Sequence, residues 1–369
     1  MKIALVHDFL KEFGGAERVF LDLCKIFPEA PIYTLYYDKK KMGKYFAGRK
    51  ITVSSLQKRY QIFRGSDFLL RPFSGKAVEE FDLRGFEVVI SNTNSFAKGV
   101  ITDPDCIHIS YCHSPTRYLW DYTHEYEKEH RAKGLKGFIL RSIFSKMRVW
   151  DFYASKRPDY FLANSQNVAK RIKKYYRRSS IVLYPGVKLS DFEIASRQKK
   201  YFLVVSRLSR YKKTELVVEA FKRLPDKLMI AGIGPELQAL KKQASGHKNI
   251  KFLGFVSDEK LHQLYSGCRA LIFPQEEDFG LTPLEAMASG RPVIAYGKGG
   301  ALETVKEDIS GIFFYKQTAS EIVSAVEKYK KMRKEFDPHE IRHSVIRFDE
   351  GEFERKLKEF INDKVTSNL

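Results

Sequence analysis

Sulfur is scarce in this sequence. Four cysteines, Cys24, Cys106, Cys112 and Cys268, are scattered over 369 residues. None forms a Cys-x-x-Cys pair, and each sits in an apolar segment, so a disulfide framework or a zinc site is not expected. Buried free thiols in a reducing compartment fit the pattern. Long hydrophobic runs are missing too. None approaches ~18 residues, so no segment reads as a membrane-spanning helix. Met1-Lys2 runs directly into a strand pattern, Ile3-Ala4-Leu5-Val6, and no signal peptide is expected. Short-period repeats are absent. Acidic residues are in deficit: 45 Asp and Glu face 65 Lys and Arg, a net charge of +20.

That deficit is uneven. Residues 1–200 hold 37 basic and 21 acidic side chains, or +16, and residues 201–369 hold 28 and 24, or +4. A basic half attracts an anionic partner: nucleic acid, anionic lipid or a phosphorylated small molecule. Composition does not choose among them. Apolar residues at 43% and charged residues at 30% fit a folded globular protein and exclude a disordered tail. The length suits two domains, or one large one.

Short apolar runs alternate with amphipathic stretches, the signature of an α/β protein with parallel sheets. The first half predicts strands at Ile3–Val6, Val88–Ser91, Ile107–Cys112, Tyr160–Ala163 and Ile181–Leu183. A helix is predicted from Ala16 to about Phe27. The polar stretch from Lys188 to Lys200, after Pro185-Gly186, reads as an interdomain linker. A second alternation follows, with strands at Phe202–Val205, Leu228–Ala231, Lys251–Leu253, Ala270–Phe273, Val293–Ala295 and Gly311–Phe314. Domains of 1–190 and 198–350 are expected, with a cleft between them. Open parallel sheets bind ligands beyond the carboxyl ends of their strands. The C-terminal helix, about 352–369, either finishes the second domain or packs back on the first.

The densest motif runs from Phe273 to Pro292. Thr282-Pro283-Leu284-Glu285 reads as a helix start, with Thr282 at the cap and Glu285 three residues on. Phe279-Gly280-Leu281-Thr282 brings backbone and helix N-terminus to a ligand, a setting suited to a diphosphate or a sugar. Glu277 and Glu285 can accept from vicinal hydroxyls of one extended ligand. The same residues also read as a solvated loop acid and a capping-box acid.

Here the chain resembles the family 4 retaining glycosyltransferases (glycosyl transferases group 1), whose fold is GT-B, two Rossmann-like domains facing a central cleft. Glu277 and Glu285 fit the family's Glu-x7-Glu motif. The Phe-Gly-Leu-x-Pro-Leu-Glu-Ala-Met-Ala-Ser-Gly-Arg-Pro text around them looks most like the bacterial mannosyltransferases of O-antigen and capsule assembly. The resemblance implies that Glu277 contacts the transferred sugar and Glu285 the ribose. Asp278 stands where the family more often has glycine, a departure that bears on sugar selectivity. The resemblance also assigns Arg207 and Lys212, in Ser206–Lys213, to the diphosphate leaving group, and backbone near Val256 to the base. Read alone, Arg207 and Lys212 are ordinary loop cations. Ala231–Glu236 is a glycine turn flanking the nucleotide pocket.

Gly14-Gly15 lies between the first strand and the first helix. It is a tight turn or a place for close phosphate approach, and the resemblance puts it beside the donor diphosphate and the acceptor. His113 ends a strand in Tyr111-Cys112-His113-Ser114-Pro115-Thr116-Arg117-Tyr118-Leu119-Trp120-Asp121, a text that recurs in the mannosyltransferase subgroup. It is expected to face the cleft and orient sugar or acceptor. Asp8 is a weaker candidate of the same kind.

Two basic-aromatic regions carry much of the charge. Lys58–Lys76 includes Arg59, Tyr60, Phe63, Arg64, Phe68, Arg71 and Phe73. Leu135–Tyr153 includes Lys136, Arg141, Lys146 and Arg148. Each suits an anionic membrane surface or a core-packed helix with a basic face. Lys170–Arg178 reads as a nucleic-acid patch or a plain surface helix. The resulting expectation is a transferase of a hexose, most of all mannose from GDP-mannose, onto a polyprenyl-diphosphate-linked glycan. It would work at the inner face of the cell membrane, with no metal or cofactor required and no nucleic-acid partner. The alternatives are a UDP-sugar transferase of the same fold and a basic nucleic-acid-binding protein.

Overall fold

The computed structural model describes residues 1–63, 69–129, 133–195 and 199–368. The chain divides into two compact units, Met1–Tyr184 with Lys356–Leu369, and Pro185–Arg355. Each is built on one parallel sheet. In the first unit the strands are β1 (Ile3–His7), β2 (Ile32–Thr34), β3 (Ile51–Val53), β4 (Val88–Thr93), β5 (Ile107–Cys112), β6 (Tyr160–Ala163) and β7 (Ile181–Val182). Their order is β3-β2-β1-β4-β5-β6-β7. The second unit holds β8 (Tyr201–Val205), β9 (Lys227–Ala231), β10 (Ile250–Gly254), β11 (Leu271–Phe273), β12 (Val293–Tyr296) and β13 (Gly311–Phe314), in the order β10-β9-β8-β11-β12-β13.

The central strands are apolar runs because parallel strands are covered on both faces. All five residues of β1 and all six of β4 are buried. β2 and β3 escape the sequence reading. Each is three residues long, and β3 is an edge strand with Ile51 and Thr52 half-buried and Val53 exposed. So short a run carries no periodicity.

In both sheets the chain winds out from a central strand to one side, then returns and winds out to the other. The reversal falls between β1 and β4 in one unit and between β8 and β11 in the other. Ligands of doubly wound sheets bind beyond the strand ends at that point.

Residues 185–195, expected as linker, belong to the second unit. Leu189 and Phe192 are buried, and the Arg342 guanidinium donates to both of their carbonyls and to that of Ala288. Ser196, Arg197 and Gln198 lie outside the described residues. The helix Glu350–Asn368 buries Phe353, Leu357 and Ile361, a 4–8 spacing on one face. From Lys356 it belongs to the first unit, where Phe360 meets the Tyr160 ring edge-on at 5.6 Å.

Candidate active site

In the second unit, loops follow the carboxyl ends of the strands, and backbone hydrogen bonds tie neighbouring ones together. Leu208 N–H donates to Ile233 O at 2.9 Å, Glu236 N–H to Leu208 O at 3.0 Å, and Gly232 N–H to Gly254 O at 2.8 Å. Gly232 has φ 138, and a Cβ there would stand 1.9 Å from Ser206 O, so only glycine lets these two loops touch. On the other side of the reversal, Gly300 N–H donates to Glu277 O at 2.9 Å.

This scaffold brings Lys212 and Glu277 together across the β8/β11 reversal. Lys212 Nζ donates to Glu277 Oε1, and the two side chains are 16% and 20% exposed. Burial alone would pull the Lys212 pKa down. The Glu277 carboxylate and the Tyr211 phenol outweigh it, and the pKa is raised. The ammonium therefore stays charged, half-sheltered and within reach of a ligand. Arg207 is exposed on the same loop, and Val256 is half-buried on the loop after β10.

The helix that follows Glu277 begins two residues earlier than its sequence suggests. It spans Leu281–Ala288 and is capped by Gly280, not Thr282. Gly280 has φ 92, open to glycine, and makes no side-chain cap. Thr282 is thus the second helical residue, and the capping-box reading of Glu285 falls. Glu285 is instead buried, with Oε2 accepting from the Tyr265 hydroxyl at 2.6 Å. Leu281 and Thr282 are half-buried and contribute first-turn N–H groups without intrahelical acceptors. Phe279 is buried edge-on against Phe348, ring centroids 5.7 Å apart. Arg291, in the same motif, is structural. Its guanidinium donates to Ser266 O at 2.8 Å and Ala195 O at 2.9 Å.

In the first unit, the β1/β4 reversal carries a different cluster. His7 ends β1 and is paired in register with Asn92 near the end of β4. Two residues after Tyr111, which pairs with Asn92, comes His113 on the same face. His113 does not stand open as expected: it is 8% exposed, and Nε2 lies 2.7 Å from Asn92 Oδ1. Burial, with His7 beside it, pulls its pKa down to about 3. The ring is neutral at physiological pH and suited to hydrogen bonding rather than proton transfer. Gly14 caps the helix Gly15–Ile26 with extended backbone and no side-chain bond, leaving the helix N-terminus bare beside Glu17.

Asp8 is a structural acid. Its two oxygens accept four backbone N–H bonds, from Asn94, Ser95, Phe96 and Ala97, at 2.6–2.8 Å. Part of the 111–121 motif is also structural. Thr116 Oγ1 and Trp120 Nε1 each donate to Asp151 at 2.7 Å. Asp151 is paired with the buried Lys98 ammonium at 2.6 Å.

The Lys170–Arg178 cluster is partly turned inward. Arg178 donates to three carbonyls, of Ser155, Pro158 and Asp159, and Arg171 pairs with Asp121 at 2.9 Å. The helix Gly134–Ala154 buries Leu140, Phe144, Met147 and Asp151 on one stripe, yet Leu135, Phe138 and Ile139 stand 75%, 67% and 50% exposed. Phe63 and Phe73 of the other basic-aromatic region are exposed, and Tyr60 is buried. Arg64 and Phe68 lie outside the described residues.

Sequence reasoning missed His7, Glu17, Asn92 and Tyr265. Their signal is a polar side chain closing an otherwise apolar strand, or a buried partner far away in sequence. Among the described residues, no helix is long and apolar enough to cross a membrane. Nor does any group of three or more His, Cys, Asp or Glu side chains there form a candidate metal site.

Comparison with known proteins bears on the family and the fold. Residues 187–346 match the family model described as glycosyl transferases group 1. The α-1,3/1,6-mannosyltransferase ALG2 of Dictyostelium discoideum is 24% identical over 89% of this chain and 89% of its own length. The O-antigen chain mannosyltransferase C of Escherichia coli is 23% identical over 85% and 84%. Among solved structures, Anabaena HepE in complex with UDP superposes with a TM-score of 0.72 at 17% identity, covering 98% of this chain and 100% of that one. That likeness shows the fold, GT-B, with its two parallel-sheet α/β units.

Proposed function

We propose that this chain, which belongs to the glycosyl transferases group 1 family, moves a mannosyl group from GDP-mannose onto a lipid-linked glycan, with retention at the anomeric carbon. The observation that carries this reading is the Lys212–Glu277 pair at the β8/β11 reversal, beside the N-terminus of Leu281–Ala288. A cation and a carboxylate that hold each other form a site for a ligand with phosphate at one end and hydroxyls at the other. Diphosphate oxygens take over Lys212 and draw on Arg207. Glu277, released, accepts from hydroxyls of the transferred sugar. Cations placed where negative charge builds up on the leaving diphosphate stabilise the transition state in a water-poor site. Buried Glu285, oriented by Tyr265, accepts from ribose hydroxyls, and backbone near Val256 meets the base.

In the first unit, His113 serves to orient a sugar hydroxyl, and the Gly14-Gly15 backbone, which has no side-chain cap, suits close approach of a phosphate. The leaving phosphate helps to deprotonate the acceptor hydroxyl, and no metal is required. Two relatives along most of the chain are mannosyltransferases, which favours mannose. A UDP-sugar is the second reading, favoured by the UDP bound in HepE. The acceptor is a polyprenyl-diphosphate glycan in surface polysaccharide assembly, met at the inner face of the cell membrane. Exposed Leu135, Phe138 and Ile139, beside Lys136 and Arg141, supply an apolar and basic surface for anionic lipid.

A donor screen with product mass detection, run with and without anionic vesicles, tests this. GDP-mannose and a short lipid-linked acceptor should gain one hexose. Transfer from UDP-sugars alone would replace the donor. No transfer from any nucleotide-sugar would refute the reading.

A further inference from the structure

The buried cluster at the β1/β4 reversal contains more polar groups than contact with a sugar requires. Four side chains join in a line. His113 Nε2 lies 2.7 Å from Asn92 Oδ1. Asn92 Nδ2 lies 2.9 Å from His7 Nδ1. His7 Nε2 lies 3.3 Å from Glu17 Oε1, in the first turn of Gly15–Ile26. His7, Asn92 and His113 are 1%, 0% and 8% exposed.

The direction of every bond in this line follows from one further contact. Asn92 Nδ2 lies 3.1 Å from Ala16 O, a carbonyl that can only accept. The amide nitrogen must face Ala16 and His7, and the amide oxygen must face His113. An acceptor at Asn92 Oδ1 requires a proton on His113 Nε2. A donor at Asn92 Nδ2 requires a lone pair on His7 Nδ1, which puts the His7 proton on Nε2, toward Glu17. The Asn92 carbonyl oxygen also lies 3.2 Å from His7 Nδ1. A neutral ring cannot donate there and accept from the amide with one nitrogen, and the 2.9 Å contact is the shorter. The carboxylate at the far end matches a chain of donors all pointing its way. The Phe20 ring, stacked on His7 at 4.6 Å, fixes the imidazole plane.

We infer that Asn92 is a positioning residue: through the Glu17–His7–Asn92 line it locks His113 in the Nε2–H tautomer and leaves Nδ1 as a hydrogen-bond acceptor. His113 then accepts from a hydroxyl of the substrate and does not donate to its phosphate. This deepens the proposed transfer reaction and rests on it for the identity of the substrate. The tautomer itself does not depend on that reaction. A neutral imidazole with one nitrogen committed is a directional acceptor, able to distinguish a correctly placed hydroxyl from one turned away.

Long-range proton–nitrogen NMR of the nitrogen-15-labelled full chain tests this, with His113→Asn used to assign the ring signals. In the wild type, His113 should show a protonated, pyrrole-type Nε2 and an unprotonated, pyridine-type Nδ1. A proton on Nδ1 would overturn the proposal without reference to any variant or activity. Asn92→Asp keeps an acceptor for Nε2–H and should keep the tautomer. Asn92→Leu removes it and should give averaged ring signals. With the donor found by the screen, Asn92→Leu should lower kcat about tenfold, the size of one directed hydrogen bond, with a smaller change in donor KM. A tenfold loss with an unchanged His113 spectrum would also refute positioning. A correct tautomer in a chain that transfers no sugar would uphold the line and remove only the reaction.

Discussion

The two sheets reverse direction at equivalent places, and each marks that place with polar side chains, but of opposite character. At β1/β4 three of the four groups, His7, Asn92 and His113, are nine-tenths buried amide or imidazole, and the acid, Glu17, is 18% exposed at the end of the line. At β8/β11 they are a cation and an anion, each with about a fifth of its side chain open to solvent. A buried neutral line has little to gain by rearranging, because each group already has its partner and water is excluded. A partly exposed ion pair is held by less, and a polyanion can compete for its cation. In the proposed reaction the first kind of cluster orients and the second exchanges partners. One doubly wound plan therefore yields a rigid hydrogen-bonding surface in one unit and a displaceable charge in the other.

The largest expected effect lies on the exchanging side. Glu277→Ala should lower turnover by about 10²–10³-fold, the usual loss when one transition-state electrostatic partner is removed. The melting temperature should change little, since the site is partly open. Steady-state kinetics beside a thermal melt measure both. If Glu277→Ala instead unfolded the chain, the pair would be a structural bridge and the contrast with the β1/β4 line would fail.

A smaller effect, on stability, belongs to the first unit. Burial, with Arg157 and Arg178 adding to it, pulls the His108 pKa down to about 3. Burial, with His7, does the same for His113. Their folded values lie below the ordinary histidine value of about 6.5. As pH falls through 6.5 the unfolded chain takes up protons that the folded chain refuses. Stability is therefore full above about 6.5 and drains away toward pH 3, by up to about 1.4 kcal/mol per pH unit for each ring. Denaturant titrations at pH 6.5 and 5.5 should show the loss, and His113→Asn should remove about half of it. Lys212 adds nothing in that window, because its raised pKa keeps the ammonium charged throughout. An acid loss unchanged by His113→Asn would mean that His113 is not the buried neutral ring described.

Much of the fold is legible in the residues themselves. The buried parallel strands are written as apolar runs, and eleven of the strands in the two sheets are found near their expected places. β2 and β3 are not, because three residues at or near a sheet edge carry neither length nor alternation. In the candidate site, Lys212 and Glu277 are legible from the motifs, but their pairing across 65 positions is not. Thr282 looks like a cap by composition. Gly280 wins because its φ of 92 turns the chain into the helix before Thr282 is reached. Asp8 looks like a cleft acid, and instead closes the turn at 94–97, which only the folded chain brings to it. The Glu17–His7–Asn92–His113 line is assembled from three strands' ends and a helix start, with sequence separations of 10 to 85 residues. No local pattern encodes it.

The claim that joins these observations is that the β8/β11 reversal holds a nucleoside diphosphate by taking Lys212 from Glu277. Thermal melting of the wild type and of Lys212→Ala, with millimolar GDP, UDP or short RNA, tests it directly. GDP or UDP should raise the wild-type melting temperature, RNA should not, and Lys212→Ala should need about tenfold more nucleotide for the same shift. A melting temperature indifferent to both nucleotides but raised by RNA, or an equal response in Lys212→Ala, would contradict the account.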